Sequence, residues 1–465
     1  MTNFSDTICA PATSVGSGAI TILRISGPDA LPIVDRVVSF ASRKASQAKG
    51  YTLMRGIAAD LDDVLVAFFR APHSYTGEDG AEIYCHASPY IVTSLLERLS
   101  AAGCRLAEPG EFTQRAFING KMDLAQAESV ADVIASTSSV QHRVAMNQLR
   151  GGYSAELRQV RAQLLELTAL LELELDFSEE EVEFANRERL RDLLDQARAH
   201  CRRLADSFRV GNAIKNGVPV AIVGAPNSGK STLLNALLHD DRAIVSDIPG
   251  TTRDTVEETC VLDGILFRFI DTAGIRDASD EVERLGIERT FRKISEAEIV
   301  LGVIDGTGTP RAVGLSVRAI AEKVDFEHQK LLILLNKCDV YRYNENVTIP
   351  NSFVLSSNNQ SIKSATLKIS AKTGLGLENL RSVLVADAGW ASATGTLVTN
   401  ARHAQALHAA ADALLAVSDG LDRHLPSDLL AEDLRAALAS LGSITGEITT
   451  DEVLGEIFSR FCIGK

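Results

Sequence analysis

The spacing of apolar residues changes rhythm along the chain, and each change predicts a different kind of structure. Over residues 1 to about 120, short apolar runs alternate with helical stretches: 18–25, 63–69 and 81–86 predict strands, and 28–38 and 89–102 predict helices with proline near their starts. This is an α+β pattern. From Lys121 to about Lys215 proline disappears, Ala, Leu, Glu, Gln and Arg dominate, and Leu164, Leu167, Leu171 and Leu175 recur at helical spacing. That pattern predicts a helical bundle, interrupted at Gly151-Gly152 and at Asp176-Phe177-Ser178, where Ser178 and Glu181 have the spacing of a capping box. From about 218, strand and helix patterns alternate. Ile299 to Ile304 and Leu331 to Leu335 read as buried strands, and near 400 an Ala-rich helical pattern returns.

Length and composition narrow this picture. A chain of 465 residues is too long for one ordinary core, and roughly three domains are expected. Hydrophobic content of 45% with 23% charged residues describes a globular protein. No apolar run approaches a membrane span, and Met1 to Asp6 lacks the basic start of a targeting peptide, so a bacterial-type cytoplasmic protein is expected. Seven cysteines are scattered without a C-x-x-C pair, which predicts buried, reduced thiols rather than a zinc site or disulfides. The formal net charge of −14 excludes a broadly basic nucleic-acid grip; any RNA contact is local or delegated to a partner.

The candidate chemistry centres on one stretch. An apolar run, Val220 to Val223, leads into Gly224-Ala225-Pro226-Asn227-Ser228-Gly229-Lys230-Ser231, and then into the helical Thr232-Leu233-Leu234. Strand, Gly-x-x-x-x-Gly-Lys-Ser and helix, in that order, make a phosphate loop. The glycines let backbone NH groups turn inward, Lys230 reaches the β and γ phosphates, Ser231 holds Mg2+, and the helix start adds its positive dipole end. Gly250-Thr251-Thr252-Arg253-Asp254 follows about twenty residues later, with a threonine placed to complete the Mg2+ shell. Residues 255–259 and 265–270, joined by Asp263-Gly264, predict a hairpin. Asp271-Thr272-Ala273-Gly274 then ends a strand, with Asp271 reaching Mg2+ through water and the Gly274 NH sensing the γ phosphate. Asn336-Lys337-Cys338-Asp339 supplies the Asp339 carboxylate, which accepts two hydrogen bonds from guanine that adenine does not offer. Ser370-Ala371-Lys372 directs backbone NH groups to guanine O6. The five motifs in this order predict a GTPase. Ile275 stands where many signalling GTPases carry a glutamine that orients water, so a carboxylate within 280–283 is a candidate for that task. No arginine finger is obvious, and Arg253, Arg276 and Arg284 stay open as candidates.

Outside these motifs the chain resembles the tRNA modification GTPase family MnmE, also called TrmE, from end to end. The N-terminal marks are Asp6-Thr7-Ile8, Gly18-Ala19-Ile20, Leu23-Arg24-Ile25-Ser26-Gly27, Thr76-Gly77-Glu78-Asp79, Pro109-Gly110-Glu111-Phe112 and Arg115-Ala116-Phe117. A middle mark runs from Asn119-Gly120-Lys121 to Glu128, and the C-terminal marks are Ile444-Thr445-Gly446-Glu447 and Phe461-Cys462-Ile463-Gly464-Lys465. Gly-Thr-Thr-Arg-Asp occurs also in ribosome-assembly GTPases, so these flanking motifs carry the distinction.

The resemblance implies a multidomain fold: an α+β N-terminal domain (1–120) that dimerises and binds 5-formyl or 5,10-methylene tetrahydrofolate, an α-helical domain in two parts (121–215 and 386–465), and an inserted α/β Ras-like P-loop GTPase domain (216–385). The folate positions carry over to Arg24, Glu82, Lys121 and Lys465. In the family K+ replaces the arginine finger; Asn227, the carbonyls of Ser246 and Ile248, and Thr251 match its ligands, Ser231 and Thr252 match those of Mg2+, and Glu283 matches the catalytic carboxylate. Asp247 and Pro249 complete the segment from Ser246 to Thr252 that faces GTP, and Pro249 is expected to stiffen it. Cys462 is a candidate for covalent chemistry. The family acts with an FAD-dependent partner, MnmG, and adds an aminomethyl or carboxymethylaminomethyl group at C5 of the tRNA wobble uridine. The alternatives are a ribosome-assembly or regulatory GTPase without folate chemistry, and a folate-dependent transferase that works without a flavoprotein.

Overall fold

The computed structural model describes residues 5–13, 18–41, 43–176, 187–238, 258–270, 295–340, 352–354, 361–363, 365–387, 395–459, 461, 463 and 464. The chain divides into two compact units. One comprises Met1–Ala131, Gln148–Arg198 and Ala409–Lys465; the other comprises Asp132–Asn147 and Ala199–His408. The architecture is multidomain, with an α+β N-terminal part, a helical part and an inserted P-loop α/β part.

In the first unit the strands are β1 (Thr7–Pro11), β2 (Ile20–Ser26), β3 (Ser39–Phe40), β4 (Thr52–Ala58), β5 (Asp62–Phe69), β6 (Gly80–His86) and β7 (Cys104–Leu106), interleaved with α1 (Ala30–Val37), α2 (Pro89–Ala101) and α3 (Glu111–Ile118). They form a sheet of order β3-β4-β5-β6-β2-β1-β7, antiparallel except for the β1–β7 pair. One face is apolar, with Leu23, Ile25, Val64, Val66 and Ile83 buried beneath Leu31, Val34, Leu95 and Leu99 of α1 and α2. Pro89 opens α2, where its missing NH costs no helical bond. The apolar pattern does not announce β4, because Leu53 and Ile57 on its other face are exposed apolar residues that blur the alternation.

The helices that follow are α4 (Leu124–Ala135), α5 (Ser139–Leu149), α6 (Gly152–Asp176), α7 (Arg187–Asp206) and α8 (Phe208–Asn216). The expected interruption at Gly151 is present, with Gly151 at φ +81°, a left-handed turn that glycine adopts without strain. The expected capping box of Ser178 and Glu181 lies outside the described residues. A break that the pattern does not predict falls at 136–138, where serine side chains bond the backbone in competition with the helix: Ser136 Oγ donates to the Val133 carbonyl and Ser138 Oγ accepts from the Gln141 NH. Leu164 and Leu167 are fully buried, as their spacing predicts.

The second unit holds β8 (Val218–Val223), α9 (Lys230–Leu238), β9 (Glu258–Leu262), β10 (Ile265–Phe269), β11 (Ile299–Asp305), α10 (Pro310–Ala321), β12 (Lys330–Asn336), β13 (Ser352–Val354), β14 (Ser361–Lys363), β15 (Ala365–Lys368) and α11 (Leu377–Asp387). The main sheet runs β15-β12-β11-β8-β10-β9, with only the β9–β10 hairpin antiparallel. β11 and β12 are apolar on both faces, as central strands of a covered parallel sheet must be. Asp263 and Gly264 both have positive φ, +49° and +81°, the turn geometry that matches strand twist. That two-residue turn pairs Leu262 with Ile265, so β9 runs to Leu262 rather than stopping at 259 as the pattern suggests. The chain continues through α12 (Ala401–Asp422), α13 (Ser427–Thr445) and α14 (Asp451–Ser459). In the first unit α13 packs along α6, and Phe458 and Leu454 of α14 bury against Leu124 and Ala127.

Candidate functional site

The phosphate loop joins the end of β8 to the start of α9. A Cβ on Gly224 would lie 2.1 Å from the Val303 carbonyl oxygen, and one on Gly229 would lie 2.1 Å from Asn336 Nδ2. Glycine is therefore required by close approach at both ends of the loop. Asn227 stands at φ +60° and is exposed at the loop tip. Lys230 Nζ folds back over the loop and donates to the Gly224 and Ala225 carbonyls at 2.9 Å each. Ser231 is half-buried and Thr232 exposed on the first turn of α9. Among the described residues the buried Ser228 hydroxyl has no hydrogen-bond partner.

Asn336, at the end of β12, ties three loops together. Its Nδ2 donates to the Ser228 carbonyl at 2.8 Å, and its Oδ1 accepts from the Ala371 NH at 2.9 Å. With only 3% of its surface exposed, its lost water contacts are replaced by these bonds. Lys337 is half-buried, while Asp339 and Lys372 are exposed beside it and Ser370 is buried. The loop after β15 is closed by Ser370 NH to Leu375 O at 2.8 Å and Gly374 NH to Ser370 O at 2.9 Å. Phosphate loop, base motif and following loop thus meet at the C-terminal ends of the parallel strands, where open α/β sheets bind ligands.

A second cluster lies on the N-terminal sheet. The β2–β6 register pairs Arg24 with Glu82, and the guanidinium bonds Glu82 Oε1 at 3.0 Å through Nε and 2.9 Å through Nη2. Tyr84 donates to the other Glu82 oxygen at 3.1 Å. The Arg24 guanidinium lies 5.5 Å from the Tyr75 ring centre and 5.7 Å from that of Phe112, within cation–π range. Burial raises the Tyr75 pKa, and so keeps its hydroxyl protonated against Thr113 Oγ1 at 2.8 Å. Near the C-terminus, Ile463 bridges Pro109 and the Gly464 carbonyl accepts from Arg24 Nη1 at 3.4 Å. A Cβ on Gly464 would lie 2.0 Å from the Pro11 carbonyl oxygen. Lys121 is held separately, its amine donating to the Pro72 carbonyl at 2.9 Å.

Beneath this cluster sits Arg115, fully buried, bonded to Asp6 Oδ1 at 2.7 Å, Glu111 Oε1 at 2.9 Å and Glu78 Oε1 at 3.3 Å. Burial raises the Glu111 pKa, but Arg105, the Glu108 NH and Arg115 outweigh it and hold the carboxyl below its ordinary value. Asp6 is lowered in the same way by Arg105 and Arg115 against its own burial. Glu78 also accepts from Ser26 Oγ at 2.7 Å.

Two family profiles match the chain: the one described as GTP-binding protein TrmE N-terminus over residues 7–121, and the one described as MnmE helical domain over 124–462. A protein named tRNA modification GTPase MnmE from Bacteroides fragilis is 50% identical, with 99% of each chain covered. Proteins of the same name from Bacteroides thetaiotaomicron and Parabacteroides distasonis are 49% and 48% identical over 99% of this chain, and over 99% and 100% of their own lengths. The chain belongs to the MnmE family of tRNA modification GTPases.

Of the positions singled out in this family member's sequence, the structure brings together Ser228, Gly229, Lys230, Asn336, Lys337, Ser370 and Ala371 in one unit, and Arg24 with Glu82 in the other. Ser246, Asp247, Ile248, Pro249, Gly250, Thr251, Thr252, Asp271, Thr272, Ala273, Gly274, Glu283, Cys462 and Lys465 lie outside the described residues. Cys9, Cys85, Cys104, Cys201 and Cys260 are buried free thiols and Cys338 is half-buried; burial pushes Cys260 up to about 12. Tyr75 and Phe112 lie in stretches that read as turn-rich, polar loops (74–79 and 108–113), of the kind where binding residues tend to sit, but the sequence gives neither of them, nor Arg115 or Asp305, an individual role. For Asp305 the sequence carries a signal: an acid follows an apolar run there, as it does at Asp271.

Proposed function

We propose that the chain is a K+-activated, Mg2+-dependent GTP hydrolase that, with the FAD-dependent partner MnmG, adds a (carboxymethyl)aminomethyl group at C5 of the tRNA wobble uridine, using a tetrahydrofolate one-carbon unit. The observation that carries this reading is the coupling of phosphate loop and base motif through Asn336 in a chain 50% identical over 99% of its length to a tRNA modification GTPase. The proposed organisation has a dimerising, folate-binding N-terminal domain, a helical domain in two parts and the G domain between them, in a cytoplasmic protein. Among the described residues no helix is long and apolar enough to cross a membrane.

The donor chemistry fits the groups invoked. Ser231 offers a hard hydroxyl oxygen for Mg2+, with Thr252 as its proposed second ligand. Asn227, exposed at the loop tip, would supply a side-chain oxygen to K+, with the Ser246 and Ile248 carbonyls and Thr251 completing the proposed set. Bound there, the cations neutralise charge that grows on the phosphates during transfer. The loop's own contribution is to hold Lys230 above inward-turned backbone and to exclude side chains where Gly224 and Gly229 stand. Asp339 selects guanine, Ser370 to Lys372 face its carbonyl edge, Asp271 and Gly274 report the γ phosphate, and Glu283 orients the attacking water. In the N-terminal unit the Arg24–Glu82 pair offers donors and acceptors beside the Tyr75 ring, a surface suited to a planar, polar-edged heterocycle such as folate's. Lys121 and Lys465 are the proposed partners of its carboxylates, and Cys462 is the proposed thiol.

GTP turnover in KCl and in NaCl at equal ionic strength tests the reading, with Asn227→Lys placing a fixed amine by the cation site. The expected result is strong activation by K+ that the variant no longer shows. Equal rates in both salts would remove the K+ mechanism and return Arg253, Arg276 and Arg284 to consideration.

A further inference from the structure

The parallel register of β11 and β12 sets Asp305 opposite Asn336, one residue before Lys337. Lys337 Nζ donates to Asp305 Oδ2 at 2.6 Å. The other carboxylate oxygen, Oδ1, accepts from the Thr307 NH at 2.9 Å and the Thr307 hydroxyl at 2.7 Å. The carboxylate is therefore anchored at both oxygens. The turn that carries it is anchored as well: Gly306 NH donates to the Asn336 carbonyl at 3.0 Å, and a Cβ on Gly306 would come within 2.9 Å of that oxygen. Burial raises the Asp305 pKa, but the bonds from Lys337 and Thr307 outweigh it and keep the carboxyl below its ordinary value, so it is charged at neutral pH.

Lys337 itself stands at φ +67°, a left-handed conformation that residues with a side chain seldom hold without a reason. A lysine has a four-carbon apolar stem that covers flat apolar surface when its amine is held in place. Left free, that stem would sample many rotamers and lose more entropy on covering a ring.

We propose that Asp305 is a positioning residue for the nucleotide base: it fixes the amine of Lys337 so that the lysine stem is held in advance as a wall against the purine ring. This rests on the assignment of Asn336 to Asp339 to the guanine site. Because the contact concerns the base, it contributes equally to GDP and GTP. It leaves the phosphate chemistry alone.

The full-length chain is titrated with fluorescent GDP and GTP analogues, as wild type, Asp305→Asn, Lys337→Met and the double variant. Asp305→Asn raises both Kd values by the same factor, about threefold to fivefold for a half-exposed pair, while kcat at saturating GTP stays within about twofold of wild type. In the Lys337→Met background the Asp305→Asn change adds nothing, since its effect runs through the amine. Thr307→Val, which loosens the carboxylate without removing its charge, gives a smaller rise in the same ratio. Unchanged Kd values in Asp305→Asn, or the same loss with Lys337 already replaced, would overturn the proposal and leave Asp305 as a turn cap. A wild type that does not prefer GDP over ADP would overturn the guanine-site reading first, before any variant is made.

Discussion

Each unit has a buried polar residue at the centre of its candidate site, and the two are of opposite kinds. In the nucleotide unit it is Asn336, a neutral amide that bonds the backbone of two loops. In the N-terminal unit it is Arg115, a fully buried cation that bonds three carboxylates. A neutral bridge keeps its strength across pH and salt, and it holds loops in register whatever charge enters the site. A charged cluster depends on every partner staying ionised, and losing one member leaves the others buried and uncompensated. The first suits a pocket that must admit a polyanion. The second suits a rigid base beneath the Arg24–Glu82 surface.

The sharpest way to break this comparison is Arg115→Met. It leaves Glu111, Glu78 and Asp6 without their common cation, and is expected to destabilise the N-terminal unit by about 3–5 kcal/mol. Urea unfolding followed by hydrogen exchange in α3 measures this, with GDP binding unchanged in the same sample. Asn336→Ala comes next. It leaves the Ser228 carbonyl and the Ala371 NH unpaired, for about 1–3 kcal/mol in the nucleotide unit and loss of GDP binding, read by the same two measurements.

Acid sharpens the contrast further. The Glu111 and Asp6 carboxyls are held below their ordinary values of 4.5 and 3.8 in the folded chain. Their contribution is complete above those values and is lost as pH falls through the lower, folded ones. Protection of α3 against exchange should thus hold from pH 7 to 5 and decline below about pH 4, ahead of protection in β12, whose Asn336 bridge does not titrate. The smallest effect belongs to the exposed Arg55–Asp63 pair, 74% and 56% exposed. Arg55→Ala should change stability by less than about 1 kcal/mol, which calorimetry checks.

The two regions also differ in how much of them the sequence discloses. The phosphate loop, Asp263-Gly264 and Asn336 to Asp339 are local patterns, each requiring particular residues at fixed spacing for a turn or a strand end, and the structure puts β8, β10 and β12 beside them. The N-terminal site is assembled from distant pieces: Arg24 and Glu82 meet through strand register, and Gly464 arrives from the far end of the chain. No periodicity encodes such a meeting; the family resemblance named Arg24 and Glu82, and the structure shows their pairing. Arg115 and Glu78 stand within sequence motifs that give them no role, because only burial distinguishes a structural arginine from a surface one. β4 is hidden in the sequence for a related reason, since its exposed Leu53 and Ile57 make both faces read as apolar.

The most direct test of the account is the wobble uridine itself. In bacteria lacking their own copy of this gene, tRNA nucleosides are measured by mass spectrometry after supplying the wild-type chain, Lys230→Ala or Arg24→Ala. The account predicts that the wild type restores the C5-modified uridine and that neither variant does, since one loses its phosphate contact and the other its Glu82-paired guanidinium. Full restoration by either variant would contradict the claim that both sites serve one reaction.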